Sequence, residues 1–268
     1  MIPVLGIIGG TGFYTLLEDV DEVTMDTPHG RPSAPVSIGR IDGRAVAFLP
    51  RHGRNHSFLP SDVPYAANLA ALKQVGAKQI LGFNTVGSLQ RNYRRGDFVV
   101  TNQFVDRTRR RKDTIFNGEQ GAHISSAYPY CDRLRATAIA ALTEAGVRAH
   151  PEGTVVVIEG PRFSSAAESR WFSAQGWNTI NMTQYPEVVL AREMQLCYAN
   201  VSYVTDYDVA AKEVVESDVA VPVSHHEVLR AFAAGSPAVM KVIRAMVARL
   251  DASETHCSCA SALEEALT

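Results

Sequence analysis

The chain predicts an α/β fold: a single domain with a mostly parallel or mixed sheet and helices on both faces, in three α/β/α layers. Three observations lead there. Apolar runs of strand length alternate with amphipathic helical patterns almost from end to end. Glycine, proline and polar residues gather just past those runs, where α/β proteins build ligand sites. The 268 residues, 46% hydrophobic and 20% charged, supply ample material for one large core.

Taken in order, Val4–Ile8 reads as a buried strand, and Val36–Ile38 with Ala45–Leu49 as a hairpin-like pair. A helix is expected over Pro64–Gly76, with Ala67, Leu69, Ala70 and Leu72 apolar and Gly76 as its C-terminal stop. Gln79–Phe83 and Phe98–Thr101 are strands. Leu134–Ala145 is an amphipathic helix closed by Gly146, and strand Thr154–Ile158 follows. Helix Ala166–Gln175, strand Thr179–Met182, helix Pro186–Leu196 and strand Ala199–Thr205 continue the alternation. A last helix runs over His226–Leu250, with a break expected at Gly235-Ser236-Pro237. Ala210–Ser224 has weak periodicity and is expected to be a mobile loop. Residues 1–250 form the domain, and 251–268 a poorly ordered tail carrying Cys257-Ser258-Cys259.

A net charge of −2 and a pI near 6.4 give no global attraction to nucleic acid or an anionic membrane. The basic run Arg107–Lys112 reads as a solvated loop or as a lid near an anionic ligand. No apolar run approaches the ~20 residues of a membrane span. The N-terminus lacks the charged region and long apolar core of a signal peptide, so a cytoplasmic location is expected. Four cysteines do not make a disulfide framework at this size. The Cys257/Cys259 pair could be redox-active or bind a soft metal. With no second Cys or His pair at zinc-finger spacing, a plain or weakly oxidisable tail is expected.

The most informative segment is Thr205-Asp206-Tyr207-Asp208 at the end of a strand. Alternate residues of an extended segment point the same way, so Asp206 and Asp208 can share one pocket. Gly9-Gly10-Thr11-Gly12 follows the first strand, where backbone N–H groups and the Thr11 hydroxyl can approach an anion. A tight structural turn is the alternative. The glycine spacing does not fit the dinucleotide fingerprint G-x-G-x-x-G. Arg51-His52-Gly53 also lies past a strand end; Arg offers a fork for an oxyanion and His a further donor. Asn84-Thr85 adds small hydrogen-bonding groups. Phe163, beyond the Gly160-Pro161 turn, can stack on a base, Met182 can cover a sugar face, and Thr183 can reach the anion. A surface loop and core packing are the alternatives for the Arg51 and Met182 segments. Together these residues suggest a site holding an anion beside a polar heterocycle.

The ordered set Gly9-Gly10-Thr11-Gly12-Phe13-Tyr14, Arg51-His52-Gly53-Arg54-Asn55-His56, Asn102-Gln103-Phe104 with Val105-Asp106-Arg107-Thr108, Glu159 to Ser165, Asn181 to Glu187 and Thr205 to Asp208 is highly specific. Over about Gly6 to Leu229 the chain resembles the trimeric purine nucleoside phosphorylases, most closely their methylthioadenosine phosphorylase branch. That resemblance implies the nucleoside phosphorylase fold, a single domain with a mixed, partly barrel-like central sheet. It implies phosphorolysis of a 6-aminopurine nucleoside, 5′-methylthioadenosine or adenosine, to adenine and a pentose 1-phosphate. The alternative is a broad purine nucleoside phosphorylase that also accepts inosine or other 5′-modified nucleosides.

By motif match, phosphate would be held by Thr11, Arg51, His52, Asn84, Thr85 and Thr183, with ribose against Met182. The purine would meet Phe163, Ser164, Asp206 and Asp208. His225, Val228 and Leu229 would line the 5′ group, joined by His123 from a neighbouring subunit. A homotrimer is implied, with pairing into hexamers left open. Inorganic phosphate is a co-substrate, and no organic cofactor, metal, nucleic acid or membrane partner is expected. The 6-oxopurine enzymes of the superfamily place Asn where Asp206 sits and Glu where Ser164 sits, so adenine nucleosides should be preferred. His225 departs from the valine of methylthioadenosine enzymes and matches the His of relatives that bind a 5′-hydroxyl. It either binds that hydroxyl or faces solvent at the helix start. Asn84 stands where the close branch often has Thr. Cys131 and Cys197 match positions where some thermophilic relatives form a disulfide, and Cys-x-Cys tails occur there too. A nucleosidase using water, and a nucleotide-binding dehydrogenase or binding module, are the competing readings.

Overall fold

The computed structural model describes residues 2–10, 17–118, 120–215, 223–251, 257–264 and 266–268. Apolar runs bounded by glycine, proline and short polar turns form β1 (Leu5–Gly9), β3 (Val36–Ile41) and β4 (Arg44–Pro50), and the acidic segment between the first two forms β2 (Glu18–Val23). Helix α1 (Tyr65–Gln74) ends against Gly76, whose φ of 95° suits only glycine without strain. Then come β5 (Gln79–Ser88), β6 (Phe98–Val100), β7 (Gln103–Arg107), α2 (Asp132–Glu144), β8 (Ala149–His150) and β9 (Thr154–Ile158). The chain continues through α3 (Ala166–Ala174), β10 (Thr179–Asn181), α4 (Gln184–Glu193), β11 (Cys197–Tyr207), α5 (Val209–Val215) and α6 (His225–Arg249).

The strands make one mixed sheet in the order β2-β3-β4-β1-β5-β10-β9-β7, with β11 on β5 and β6 linking β11 to β8. Alternation along the central strands sorts their side chains into two cores. Val46 and Phe48 of β4, Leu81 and Phe83 of β5, and Ala199, Val201 and Tyr203 of β11 face α2 and α6. Ala47, Leu49, Ile80 and Tyr198 face the other way, toward α1 and α4. The three-layer arrangement follows directly.

One topological detail positions the site. β11 occupies one edge of β5 along nearly its whole length. The other edge is shared: β1 pairs in parallel with Ile80–Gly82, and β10 pairs antiparallel with Gly87–Ser88. Between these pairings the sheet opens at residues 83–86. This branching gives the central sheet its partly barrel-like curl.

Several elements differ from the sequence expectations. β2, with its acidic Glu-Asp-Val-Asp-Glu-Val run, is an exposed edge strand and carries no apolar periodicity to betray it. β5 extends through Asn84 and Thr85, so these residues sit inside the strand and not past its end. Residues Val209–Val215 form α5, replacing the first part of the expected mobile loop; 216–222 lie outside the described residues.

Helix α6 runs unbroken through Gly235-Ser236-Pro237. Its start is fixed by a capping box between Ser224 and Glu227. Val239, Val242, Ile243, Met246 and Val247 recur at helical spacing and are buried against α2 and β11, which outweighs the cost of the proline. By length and composition α6 could cross a bilayer, but its apolar stripe is committed to this core. The described part of the tail is not loose. Cys259 is buried in the same core, and backbone bonds tie Thr268 to Gly121 and His123 to Ala266.

Candidate active site

The opening in the sheet is the floor of a cavity of about 520 Å³. It is lined by Gly10, Arg51, His52, Asn84, Thr85, Phe163, Ser164, Met182, Thr183, Asp206, Asp208, His225, Val228 and Leu229. Segments far apart in sequence meet here because the parallel strands β1, β4, β5 and β11 bring their C-terminal ends toward those of β9 and β10, which run antiparallel to β5. Among the expected residues two are missing from this wall. Thr11 lies outside the described residues. His123 borders a separate groove with Phe104, Tyr185 and Glu193.

Arg51 is 2% exposed, and most of its guanidinium is already engaged. Nε and Nη2 form a bidentate pair with Glu187 at 2.7 and 2.9 Å, Nη2 also donates to the Ile8 carbonyl, and Nη1 donates to the Phe83 carbonyl. Burial works against its charge, and the Glu187 carboxylate more than offsets this, so Arg51 stays protonated. The expected fork toward an oxyanion is therefore spent on Glu187. A guanidinium carries five N–H groups, and one on Nη1 remains for a ligand. Arg51 acts mainly as a buried positive charge that also seals the unpaired stretch of β5.

His52 departs from expectation in a different way. Its Nδ1 lies 2.9 Å from the Phe58 carbonyl, which can only accept. Burial pushes its pKa down to about 4, helped by the positive charge of Arg51. A neutral ring donating from Nδ1 presents Nε2 as an acceptor. His52 thus offers an anion no donor, but it can accept from a protonated phosphate oxygen.

Asn84 Nδ2 donates to Thr183 Oγ1 at 3.3 Å, and its Oδ1 accepts from Ser202 at 3.0 Å. These contacts tie Asn84 to the Thr183 and Ser202 hydroxyls, and Asn84, Thr183 and Arg51 line the same cavity. Asn181 Nδ2 is buried at the wall with no hydrogen-bond partner among the described residues. A buried amide donor left open at a cavity wall is costly unless a ligand completes it.

The same cavity is lined by the two carboxylates. Asp206 Oδ1 accepts from the Thr205 hydroxyl at 2.7 Å. Its Oδ2 lies over Gly87, where a Cβ would approach to 3.0 Å, so glycine makes room for the carboxyl. A register shift between Val204 and Asp206 re-aims the strand end at this point. Burial, opposed by the Thr205 bond and reinforced by the Asp208 carboxylate, pushes Asp206 from 3.8 up to about 6. Asp208 is raised too, chiefly by burial, while Ser164 donates to its carboxylate at 2.8 Å. Near neutral pH the pair therefore includes a carboxyl that can hold a proton.

Phe163 reaches the cavity through the Gly160-Pro161 turn. Gly160 has φ 67° and packs against Met182, where a Cβ would fall 2.6 Å from Sδ. Along α6, His225, Val228, Leu229 and Phe232 share a face by their spacing and all line the cavity. Phe232 joins this face at the helical spacing of Val228 and Leu229, a signal present in the sequence although the residue is absent from the expected set. His56, inside the Arg51-His52 motif, also lines the wall; its ring stacks on His52 at 4.3 Å and lies 6.4 Å from His225. The basic run is anchored instead of forming a free lid: Arg107 covers Trp171, and Arg111 donates to the Tyr185 and Glu159 carbonyls.

One cavity thus combines the buried Arg51 guanidinium and amide and hydroxyl groups with a carboxyl raised toward its protonated form, and Met182 and Phe163 line it as well. Known proteins carry the same architecture. The sequence profile of the phosphorylase superfamily matches residues 4–248. S-methyl-5′-thioadenosine phosphorylase of Pyrococcus abyssi is 46% identical over 263 residues, 98% of each chain. Purine nucleoside phosphorylase of Streptomyces coelicolor is 47% identical over 268 residues, covering 97% of this chain and 94% of the relative. Methylthioadenosine phosphorylase from Schistosoma mansoni, solved with adenine, superposes with a TM-score of 0.86 at 36% identity, over 92% of this chain and 91% of that one. Sustained over nearly the whole length of the chain, this likeness places it in the phosphorylase superfamily, in the branch that holds the methylthioadenosine phosphorylases.

Proposed function

We propose that the chain catalyses phosphorolysis of a 6-aminopurine nucleoside, 5′-methylthioadenosine or adenosine, at this cavity. A phosphate oxygen forms a bond to C1′ as the bond from C1′ to N9 breaks. Its electron pair moves into the purine, and a proton reaches N7, giving adenine and an α-pentose 1-phosphate. The observation that carries this reading is the buried Asp206 carboxyl, held toward its protonated form, in one cavity with Arg51 and Thr183. Charge accumulates on the departing base in the transition state, so a donor there lowers the barrier more than it stabilises the ground state.

Phosphate lies between Thr11, the free Nη1 hydrogen of Arg51, Asn84, Thr85 and Thr183, with His52 accepting one phosphate hydrogen. Asn181 completes its open amide on phosphate or a ribose hydroxyl, and Met182 covers the sugar. Phe163 stacks on the purine, and Asp206 and Asp208, the latter fixed by Ser164, meet N7 and the 6-amino group. No organic cofactor or catalytic metal is required, because an anionic nucleophile and one acid suffice. The enzyme works in the cytoplasm as a homotrimer. Leu59, Phe163 and Leu229, each at least 40% exposed at the cavity rim, call for cover by substrate and a neighbouring subunit supplying His123.

Base release from methylthioadenosine and adenosine should require phosphate, and inosine should be cleaved at least about tenfold less efficiently. Release at an unchanged rate without phosphate would make the protein a nucleosidase. Faster inosine cleavage would defeat the 6-amino preference.

His225 favours adenosine as the better substrate. It is exposed on the first turn of α6 yet lines the cavity mouth beside His56, where an imidazole suits a hydroxyl better than a thioether. His225→Val is expected to shift the ratio of kcat/KM for methylthioadenosine over adenosine upward by about tenfold. An unchanged ratio assigns His225 to solvent.

A further inference from the structure

The geometry points to a soft divalent metal site, of the zinc class, built from Cys131, Cys197, Cys257 and Cys259. Their four Sγ atoms all lie within 4.8 Å of one another. A tetrahedral tetrathiolate with metal–sulfur bonds of ~2.3 Å needs sulfur–sulfur separations of roughly 3.8 Å. Cys197 and Cys257 stand at 3.3 Å, so small side-chain rotations convert the cluster into a ligand set. The sulfurs come from three separate pieces of chain, as structural metal sites commonly arrange them.

Two of the ligands sit on rigid elements. Cys131 is the N-cap of α2, and its N–H donates to the Tyr198 carbonyl at 2.8 Å, which locks it beside the start of β11. Cys197 opens β11, its N–H bonded to the Lys78 carbonyl. The other two arrive on the tail, where Gln195 donates to the Ala260 carbonyl and holds the turn in place. Cys131, Cys197 and Cys259 are buried and Cys257 is partly covered. Four thiolates around a divalent ion carry a net charge of −2, and a cation already faces them: Arg133 Nη2 lies 3.7 Å from Cys197 Sγ, oriented by Gln79 at 2.7 Å. A positively charged neighbour of this kind tunes and stabilises an anionic metal centre.

The cluster is remote from the catalytic cavity, at the opposite end of β11 and roughly 30 Å along an extended strand. Its role is structural. Bound metal would clamp the tail to the core, and the tail in turn pairs with residues 121–123 through Ala122–Leu267 and the bonds from Thr268 and His123. The site therefore secures the segment that carries His123.

The test is metal content of the tag-free full chain, purified under reducing conditions without chelator and dialysed against zinc, then against buffer. About one ion per chain is expected, falling below about a tenth in Cys257→Ser/Cys259→Ser. Should that variant fail to fold, the wild-type protein answers the question: titration with an organomercurial should release the ion into a chromogenic chelator in step with the thiols. Cobalt in place of zinc should give thiolate charge-transfer bands and tetrahedral d–d absorption. Four reactive thiols with no retained metal would overturn the proposal. So would two disulfides found in protein alkylated at the moment of lysis.

Discussion

Asp206→Asn should lower kcat/KM for adenosine-type nucleosides by about 100-fold or more, the scale of a lost general acid. The same change should make the folded protein more stable at neutral pH. Asparagine keeps an oxygen for the Thr205 hydroxyl and fits the space over Gly87, so the site should remain intact. What disappears is a buried group that must ionise. The sign follows from linkage. The folded-state pKa of about 6 stands above the unfolded 3.8, so the favourable contribution is fully present below about 3.8 and is lost as pH rises through about 6. Two pKa units correspond to roughly 3 kcal/mol. The variant should therefore gain stability relative to wild type between pH 5 and pH 7, read from urea midpoints at both values. Activity should move oppositely. Wild-type kcat/KM should fall as the carboxyl ionises, and the variant should lose that limb while keeping any limb due to phosphate. If its pH profile and rate match wild type, Asp206 is not the proton donor.

Glu187→Leu carries the second large effect. Glu187 is 1% exposed and holds Arg51 through two oxygens while also accepting from Tyr198 at 2.7 Å. Removing it leaves a buried guanidinium without its counter-charge, a loss of about 3–5 kcal/mol. Against a total stability of about 5–15 kcal/mol, that change should be plain in the denaturation midpoint. The phosphate KM should rise as well, because Arg51 is no longer oriented toward the opening at β5. Arg51→Met combined with Glu187→Leu separates the two consequences. The double variant buries neither charge and should recover much of the stability, while phosphate binding stays impaired. A loss below about 1 kcal/mol in Glu187→Leu would show that water or relaxation already screens the pair. Recovery of phosphate affinity in the double variant would remove Arg51 from the binding site.

Most of the scaffold was legible because its determinants are local. Apolar spacing and a terminal glycine give the strand Thr154–Ile158 to the residue and α1 to within a turn. The exceptions, with β7 and α5 among them, are elements whose formation no local pattern announces. β2 is acidic and exposed, and β8 is two residues long, so neither generates a pattern. Helix α6 passes through a proline because burial of its stripe exceeds a local penalty, which a windowed reading of Gly235-Ser236-Pro237 cannot weigh.

The candidate site shows the same division. Residue types and strand-end positions were enough to nominate Arg51, His52, Asn84, Thr183, Phe163, Asp206 and Asp208, all of which line one cavity. Their chemical states were not. Whether an arginine fork is free depends on a glutamate 136 residues away, and whether a histidine donates depends on the carbonyl it meets and the water it has lost.

By itself, then, the sequence determined the alternation of the main buried strands and helices, the placement of most polar motifs at strand ends, and the pairing of two carboxylates on one extended face. Periodicity and turn chemistry act over a few neighbouring residues and are written there. Only the tertiary structure decided that one edge of β5 would be shared by two partners, that Glu187 would occupy Arg51, that Asp206 would be dry enough to hold a proton, and that four distant thiols would converge. Those outcomes rest on desolvation and on contacts between segments far apart along the chain, for which no local pattern exists.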